Sequence, residues 1–273
     1  VSIHKSEQIL RYPGVAWCEG HVFVATEINT GGSSTILLFT EAGKYMEVAG
    51  KRPVICSADD RLFLLYETVE GSAPYNCLNL AEIEGGDIGN NWRIGPEEGF
   101  NINGDLAYCP EHQALYICFE TTPVWGIDHA VGKHRDLHVW QLNMGKKPEA
   151  APGTCGGKLD IEREAFMDKG QHVNTPPVYP RLTMTNASPL LTYRQFRYRG
   201  FRCFGWDVYL TELQNKGWSE PQRVSPNVGP ADADYSVVEN NGERIGFFPS
   251  CDNEPNAQRV YNCRLEISKI SEL

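Results

Sequence analysis

Three runs of apolar, β-branched or aromatic residues in this chain carry a glutamate at the same point: HVFVATE at Glu27, RLFLLYET at Glu67 and ALYICFET at Glu120. Copies of a long-period repeat occupy equivalent places in space, so these carboxylates are expected to form a ring about an axis. Their spacings, ~40 and ~53 residues, match one four-stranded propeller blade with variable loops. Two further runs, PLLTYRQF and RIGFFPSCD, put Arg194 and Ser250 at the corresponding point. Five units therefore account for the chain.

Each unit divides into strands. A short first strand follows a proline or an acidic residue (YPGVAW, RPVICSA, NGDLAYC, YPRLTMT, DADYSVV), and a tight polar turn then leads into the run described above. Such turns are hairpin signals. A third strand follows (STILLFTE, NCLNLAEIE, LHVWQLN, DVYLTELQ, VYNCRLEIS), then an outer one (KYMEVAG, NWRIGPEE, KLDIERE, GWSEPQRVS). No segment longer than about two turns shows the 3.6-residue apolar period, so the chain reads as all-β. The fifth unit lacks an outer strand, and SIHKSEQIL at the N-terminus resembles the end of GWSEPQRVS. Pairing that segment onto the last blade would close a single-domain, five-bladed β-propeller and remove two bare edges. The blades are expected over residues 11–50, 51–99, 100–165, 178–226 and 231–273, the last completed by residues 1–10.

A content of 41% hydrophobic and 22% charged residues supports a sizeable core. There is no run of 18 apolar residues, so no membrane span is expected. A net charge of -10 disfavours nucleic acid as partner, because phosphate binding needs clustered Lys and Arg. The exception is RQFRYRGFR, from Arg194 to Arg202, whose four arginines alternate with Phe196, Tyr198 and Phe201. It is either a solvated loop or a clamp for an anionic sugar or a partner's carboxylate, since Arg offers a planar fork. The chain begins at Val1 and carries no signal peptide, which fits a processed product or an excised piece. An extracellular or periplasmic location suits the fold. Nothing in the sequence specifies an oligomeric state.

In a propeller the loops joining second to third strands share a face with the starts of the innermost strands. Glu27, Glu67 and Glu120 should therefore meet Arg52, Asp105, Arg181, Asp232 and Asp234 at one funnel mouth. Glycosidic cleavage needs such carboxylates, one protonating the leaving oxygen and another activating water or attacking carbon. Asp105, Glu67 and Glu120 are the candidates for acid and base, with Arg181 and Arg194 orienting substrate. Asp105 and Asp234 gain weight because they break the repeat. Two other readings of the ring stay open: glutamates that bond backbone amides of the neighbouring blade, and glutamates that chelate calcium on the axis.

The insertion TTPVWGIDHAVGKHRDLH carries His129, His134 and His138 with Asp128 and Asp136, residue types that bind zinc, or else it folds over the pore on Trp125. A lectin-like or scaffold propeller would instead line sugar pockets with Trp17, Trp125 and Trp206. A polysaccharide lyase would need His or Tyr as base beside an arginine or metal, and the histidine-rich insertion is where the sequence offers one. The nine cysteines show no CxxC spacing; Cys56, Cys109 and Cys118 fall in strands as small hydrophobes, and Cys203 and Cys251 in adjacent blades could pair.

The run YPRLTMTNASPLLTYRQFRYRGFRCFGWDVYLTELQNKGWSEPQRVS resembles a blade of the sialidase-like, BNR-type propeller superfamily. The resemblance rests on Pro-Arg opening the first strand, Tyr-Arg in the second, Trp-Asp-Val-Tyr in the third and Trp-Ser-Glu-Pro in the outer one. DADYSVVENNGERIGFFPSCD continues it less faithfully, the two together reaching over about a quarter of the chain, and the Ser-x-Asp-x-Gly-x-x-Trp box of true sialidases is missing. Arg52, Arg181 and Arg194 are the residues that could correspond to that superfamily's sugar-carboxylate arginines. Similarity to the five-bladed arabinanase-like and fructan-active glycosidases implies an Asp, Asp, Glu set around the funnel, although their Asp-Pro start of blade one is here Tyr12-Pro13.

Overall fold

The computed structural model describes residues 10–29, 33–69, 76–97, 99–122, 135–161, 164–168, 171–175, 177–185, 188–199, 202–215, 217–225, 235–240, 242–251 and 263–270. Every regular element among them is a β-strand, and no helix is long and apolar enough to cross a membrane. Blade one comprises β1 (Leu10–Cys18), β2 (His21–Asn29), β3 (Ser34–Thr40) and β4 (Gly43–Ala49), paired in that order and antiparallel throughout. Blade two repeats the meander with β5 (Lys51–Ala58), β6 (Arg61–Val69), β7 (Asn76–Glu84) and β8 (Asp87–Ile94). Blade three uses β9 (Phe100–Cys109), β10 (Ala114–Thr122), β11 (Asp136–Asn143) and β12 (Glu149–Ala150). A separate hairpin of β13 (Glu164–Asp168) and β14 (Gln171–Thr175) precedes blade four.

Blade four contains β15 (Val178–Met184), β16 (Pro189–Arg199) and β17 (Arg202–Gln214), edged by two short pieces, β18 (Gly217–Trp218) and β19 (Gln222–Arg223). Blade five has β20 (Ser236–Asn240), β21 (Glu243–Cys251) and β22 (Cys263–Ile270). The molecule is a five-bladed β-propeller of antiparallel sheets. Residues 1–9, expected to complete the fifth blade, lie outside the described residues.

The core is a set of layers between neighbouring blades, and strand parity explains why the second strands read as unbroken apolar runs. In β6, Leu62, Leu64 and Tyr66 pack against Ala16, Phe23, Ile36 and Leu38 of blade one. Phe63 and Leu65, pointing the other way, pack against Leu106, Leu115, Ile117 and Phe119 of blade three. β10 does the same: Tyr116 and Cys118 join Leu182, Leu191 and Tyr193 of blade four. A strand buried on both faces cannot alternate polar and apolar residues.

Blade three departs from the expected outer strand, Lys158–Glu164. Its edge is made by two pieces, of which only the second includes the start of that segment: Ala151 N–H donates to Val139 O at 3.1 Å, Val139 N–H to Gly157 O at 2.8 Å and Leu159 N–H to Leu137 O at 2.9 Å. Ala151 and Leu159 are buried by this arrangement. The Pro, Gly and Ala-rich stretch GKKPEAAPGTCGGK, residues 145–158, whose composition reads as a flexible excursion, thus supplies most of the blade's edge.

Separate layers predict separable energetics. Ile36→Val and Ile117→Val, fully buried in different layers, should each cost about 0.5–1.5 kcal/mol. Urea titration of the double variant should give the sum of the two within about 0.5 kcal/mol.

Candidate functional site

The innermost strands of blades one to four begin with the same backbone device. Tyr12, Arg52, Asn103 and Tyr179 have φ of 50°, 51°, 54° and 51°, and the register with the second strand slips beside each of them. A non-glycine residue in the left-handed region costs about 1–2 kcal/mol, so four at equivalent points need a common support. Pro13, Pro53 and Pro180 follow three of them. In blade three Gly104 stands there instead, because a Cβ would come within 2.7 Å of Leu65 Cδ2.

For Arg52, Asn103 and Tyr179 the support is the glutamate ring. Parity points each carboxylate toward the following blade, where it accepts the amide of the left-handed residue. Arg52 N–H donates to Glu27 Oε2 at 2.9 Å, Asn103 N–H to Glu67 Oε1 at 2.9 Å and Tyr179 N–H to Glu120 Oε1 at 2.6 Å. The other lone pairs are also taken. Ser34 Oγ donates to Glu27 Oε1 at 3.0 Å, and Asn76 Nδ2 to Glu67 Oε2 at 3.0 Å. Glu120 accepts Asn103 Nδ2 at 2.8 Å and Arg135 at 2.9 Å. The Arg52 guanidinium donates to Glu67 at 3.3 Å and to Asn103 Oδ1 at 2.6 Å, so Asn103 ties blades two and three together.

All three glutamates are buried, at 4%, 1% and 0% exposure. Burial pushes the Glu120 carboxyl upward, while Arg135, the Tyr179 amide and Asn103 hold it down. Burial would depress the Arg52 guanidinium, but Glu67 and Tyr12 more than offset this and raise it.

Blade four breaks the ring. Arg194 occupies the place of the glutamates, since it pairs with Val178 as Glu67 pairs with Lys51. It is buried, with its guanidinium 5.4 Å from the Tyr179 ring centroid and 4.9 Å from that of Tyr235. The Tyr235 hydroxyl donates to Tyr179 O at 2.9 Å, and burial drives its pKa far up.

Inside this belt lies a cavity of about 910 Å³, lined by Tyr12, Arg52, Asn103, Asp105, Tyr179, Arg181 and Arg194 among others. It gathers Asp105, Arg52, Arg181 and Arg194 from the sequence candidates; Glu27, Glu67 and Glu120 stand behind its wall. Asp105 is locked in place, Oδ1 accepting Leu106 N–H at 3.0 Å and Oδ2 accepting Leu182 N–H of blade four at 2.9 Å. The positions that differ between blades are the ones that face the cavity: Gly14, Val54, Asp105 and Arg181 stand at the same point of successive innermost strands.

Tyr12, Tyr179 and Asn103 are rim residues that the sequence did not single out. The recurring pair of an aromatic or basic residue before proline was their only visible signal.

Other candidates fall elsewhere. Trp17 is 63% exposed on β1. Trp125, His129, His134, Asp232 and Asp234 lie outside the described residues, and so do the side chains of Trp206, Cys203 and Cys251. His138 is buried against Phe119, ring centroids 5.3 Å apart. Burial lowers its pKa to about 4. Among the described residues no three His, Cys, Asp or Glu side chains gather to hold a metal. Cys56 and Cys118 are thiols that burial pushes up, Cys56 to about 11.

No family model and no curated protein matches the sequence. Among solved structures the chain is similar to a thermostable family-43 glycoside hydrolase, with a TM-score of 0.51 and 10% identity over 97% of this chain and 90% of that one. It is also similar to a subtype N10 neuraminidase-like protein of A/little yellow-shouldered bat/Guatemala/060/2010, with a TM-score of 0.53 and 9% identity over 96% and 81%. At such identities the likeness is one of fold: this chain has the propeller architecture of these proteins.

The ring and the buried imidazole each make a prediction. Glu67→Ala strands the Asn103 amide and the Asn76 side chain, so denaturant unfolding should show a loss of about 3–5 kcal/mol. Glu67→Gln, which keeps an acceptor for Asn103 N–H, should lose less, about 1–3 kcal/mol. For His138 the folded pKa lies below the ordinary 6.5, so between those values the unfolded chain binds the extra proton. Stability is then full above pH 6.5 and falls as pH drops toward 4, by up to about 3 kcal/mol. Thermal melts across that window should flatten in His138→Phe.

Proposed function

We propose that this propeller is carbohydrate-active and takes a carboxylate-bearing sugar into the axial cavity, held by Arg52, Arg181 and Arg194. One observation carries the reading: among the described residues, three arginines and one fixed carboxylate line a cavity in a chain of net charge -10. The surrounding charge repels anions, so a cationic pocket of this kind is a selective feature. Arginine forks recognise carboxylates bidentately, and Tyr12 and Tyr179 offer flat faces to a sugar ring.

The reaction proposed is glycosidic hydrolysis with Asp105 as the acid or base at the bond. Two backbone amides fix its carboxylate, the preorganisation such a role requires. Glu67 and Glu120, which the sequence offers beside it, enter as positioning groups: they accept the amides of the left-handed residues Asn103 and Tyr179, and Glu67 also holds the Arg52 guanidinium. The glycosidase-like fold of the similar structures is consistent with this assignment. An extracellular or periplasmic site of action goes with such a substrate.

A second reading, glycan binding without turnover, draws support from the same geometry. Asp105 is the only carboxylate lining the cavity among the described residues, whereas the usual hydrolytic mechanisms use two, about 5 to 10 Å apart.

Calorimetric titration and product analysis on acidic and neutral oligosaccharides separate these readings. Arg181→Ala should weaken acidic ligands about 10- to 100-fold, as expected for a lost charge-assisted bond, and leave neutral ones unchanged. Asp105→Asn should retain binding and lose turnover by at least about 100-fold. Wild-type binding with no product establishes the lectin-like reading. Products with unsaturated ends would mean elimination instead, with a cavity tyrosine as base. Equal affinity for neutral and acidic sugars would end the proposal.

A further inference from the structure

Strand parity gives each blade a face toward the blade before it. Ile55 and Leu64 of blade two pack on blade one, Leu106 and Ile117 of blade three on blade two, and Leu182 and Leu191 of blade four on blade three. None of them is more than 9% exposed. Ile55, Leu106 and Leu182 stand three residues after the left-handed residue of their blade, and Leu64, Ile117 and Leu191 three residues before its ring position. In blade one those places belong to Val15 and Val24, which are cross-strand partners, so their face is turned toward blade five. Val15 is nevertheless 67% exposed and Val24 only half-buried. Trp17, two residues farther along β1 on the same face, is 63% exposed.

Blade five shows a matching face. Val237 and Phe248 pack on blade four, and the register puts Val238 and Ile267 on the opposite side, 38% and 62% exposed. The charged members of that side, Lys269 and Glu243, pair with each other at 2.9 Å. Among the described residues an apolar cluster spans every junction from blade one to blade five, and none spans the junction of blades five and one. That opening is continuous with the axial cavity, because Val15 lines the cavity as well.

The walls of the opening are chemically unlike the cavity. Valine and isoleucine side chains offer no hydrogen bond, so the hydroxyls of a sugar would go unpaired between them, whereas a hydrocarbon group gains by leaving water. Exposed apolar surface that adjoins a polar pocket marks a place where a ligand completes the packing. Trp17 adds a large flat ring where blades two to four have Ser57, Tyr108 and Met184.

We infer that the opening between blades five and one is an aglycone site: a slot beside the cavity that takes an aromatic group linked to the acidic sugar. This rests on the proposed acidic-sugar reading and deepens it: the arginines hold the charged ring, and Trp17 with its apolar neighbours holds what the ring is attached to.

Titration of the intact chain with the phenyl and methyl S-glycosides of glucuronic and galacturonic acid, in both anomeric forms, tests this, since sulfur in place of the scissile oxygen lets binding be read without turnover. For the sugar that binds, the phenyl glycoside should bind at least about 10-fold more tightly than the methyl one, the gain expected when an aromatic ring is buried against tryptophan. Trp17→Ala should remove most of that advantage and Ile267→Ser should cut it about 2- to 3-fold, both leaving the affinity for the methyl glycoside unchanged. Both side chains are exposed, so neither substitution removes core packing. Equal affinity for the two glycosides, or an advantage that survives either substitution, overturns the slot and leaves the cavity reading standing. Failure of every acidic glycoside to bind overturns the cavity reading itself. Sedimentation that shows a dimer dissociated by Trp17→Ala would give this face to a second copy of the chain and overturn the aglycone assignment.

Discussion

A carboxylate that accepts a backbone amide from the next blade is the contact on which the rest of this structure depends. Propeller blades bury apolar faces against one another, but apolar packing is non-directional and does not fix where one blade's inner strand begins relative to its neighbour. Glu27, Glu67 and Glu120 supply that register. Each holds a residue in a conformation that its side chain disfavours, so strain and support occur together. Burial makes the contact more decisive, because an amide or carboxylate left without its partner in that interior costs several times what the bond is worth when made.

The belt also separates structure from function within one repeat. Where the blades are alike the residues are engaged with one another: glutamate to amide, Arg52 to Glu67 and Asn103. Where they differ they face the cavity. Among the described residues of blades one to four, the change from Gly14 and Val54 to Asp105 and Arg181, and from three glutamates to Arg194, places these departures on blades three and four. A duplicated scaffold would place identical groups around its axis, so a directional ligand can be read only by those departures. The cation-π stack of Arg194 on Tyr179 and Tyr235 keeps two blades in contact where the carboxylate contact is absent.

Much of this was legible in the sequence, for reasons that can be named. The period of the glutamates gave the blade count, and the unbroken apolar runs reflect strands packed on both faces. Asp105 and Arg194 stood out because they interrupt a pattern. The reading of the glutamates as acceptors for backbone amides of the neighbouring blade was open from the sequence and is what the structure has; what could not be read was which amides, because nothing in Tyr-Pro or Arg-Pro announces a left-handed residue. Without those amides a ring of carboxylates looks available for catalysis. Blade three's edge was hidden for a related reason. Lys158–Glu164 has better strand character than the Pro and Gly-rich stretch before it, yet the edge is shared between them, Ala151 of the one and Leu159 of the other both being buried on the blade.

Electrostatics links the belt to the cavity. An arginine beside a buried carboxylate is held by it and offers less to a ligand, which describes Arg52 against Glu67. Arg194 stands where blades one to three have a glutamate, with its guanidinium over the rings of Tyr179 and Tyr235. Replacing a glutamate by arginine at one point of the ring therefore does two things at once: it removes a negative charge from the rim and adds a donor fork there. The same exchange at any other blade would have stranded the amide of Arg52, Asn103 or Tyr179. Blade four is where the first three amides already have their acceptors, and there the scaffold could give up a structural carboxylate and gain a binding residue.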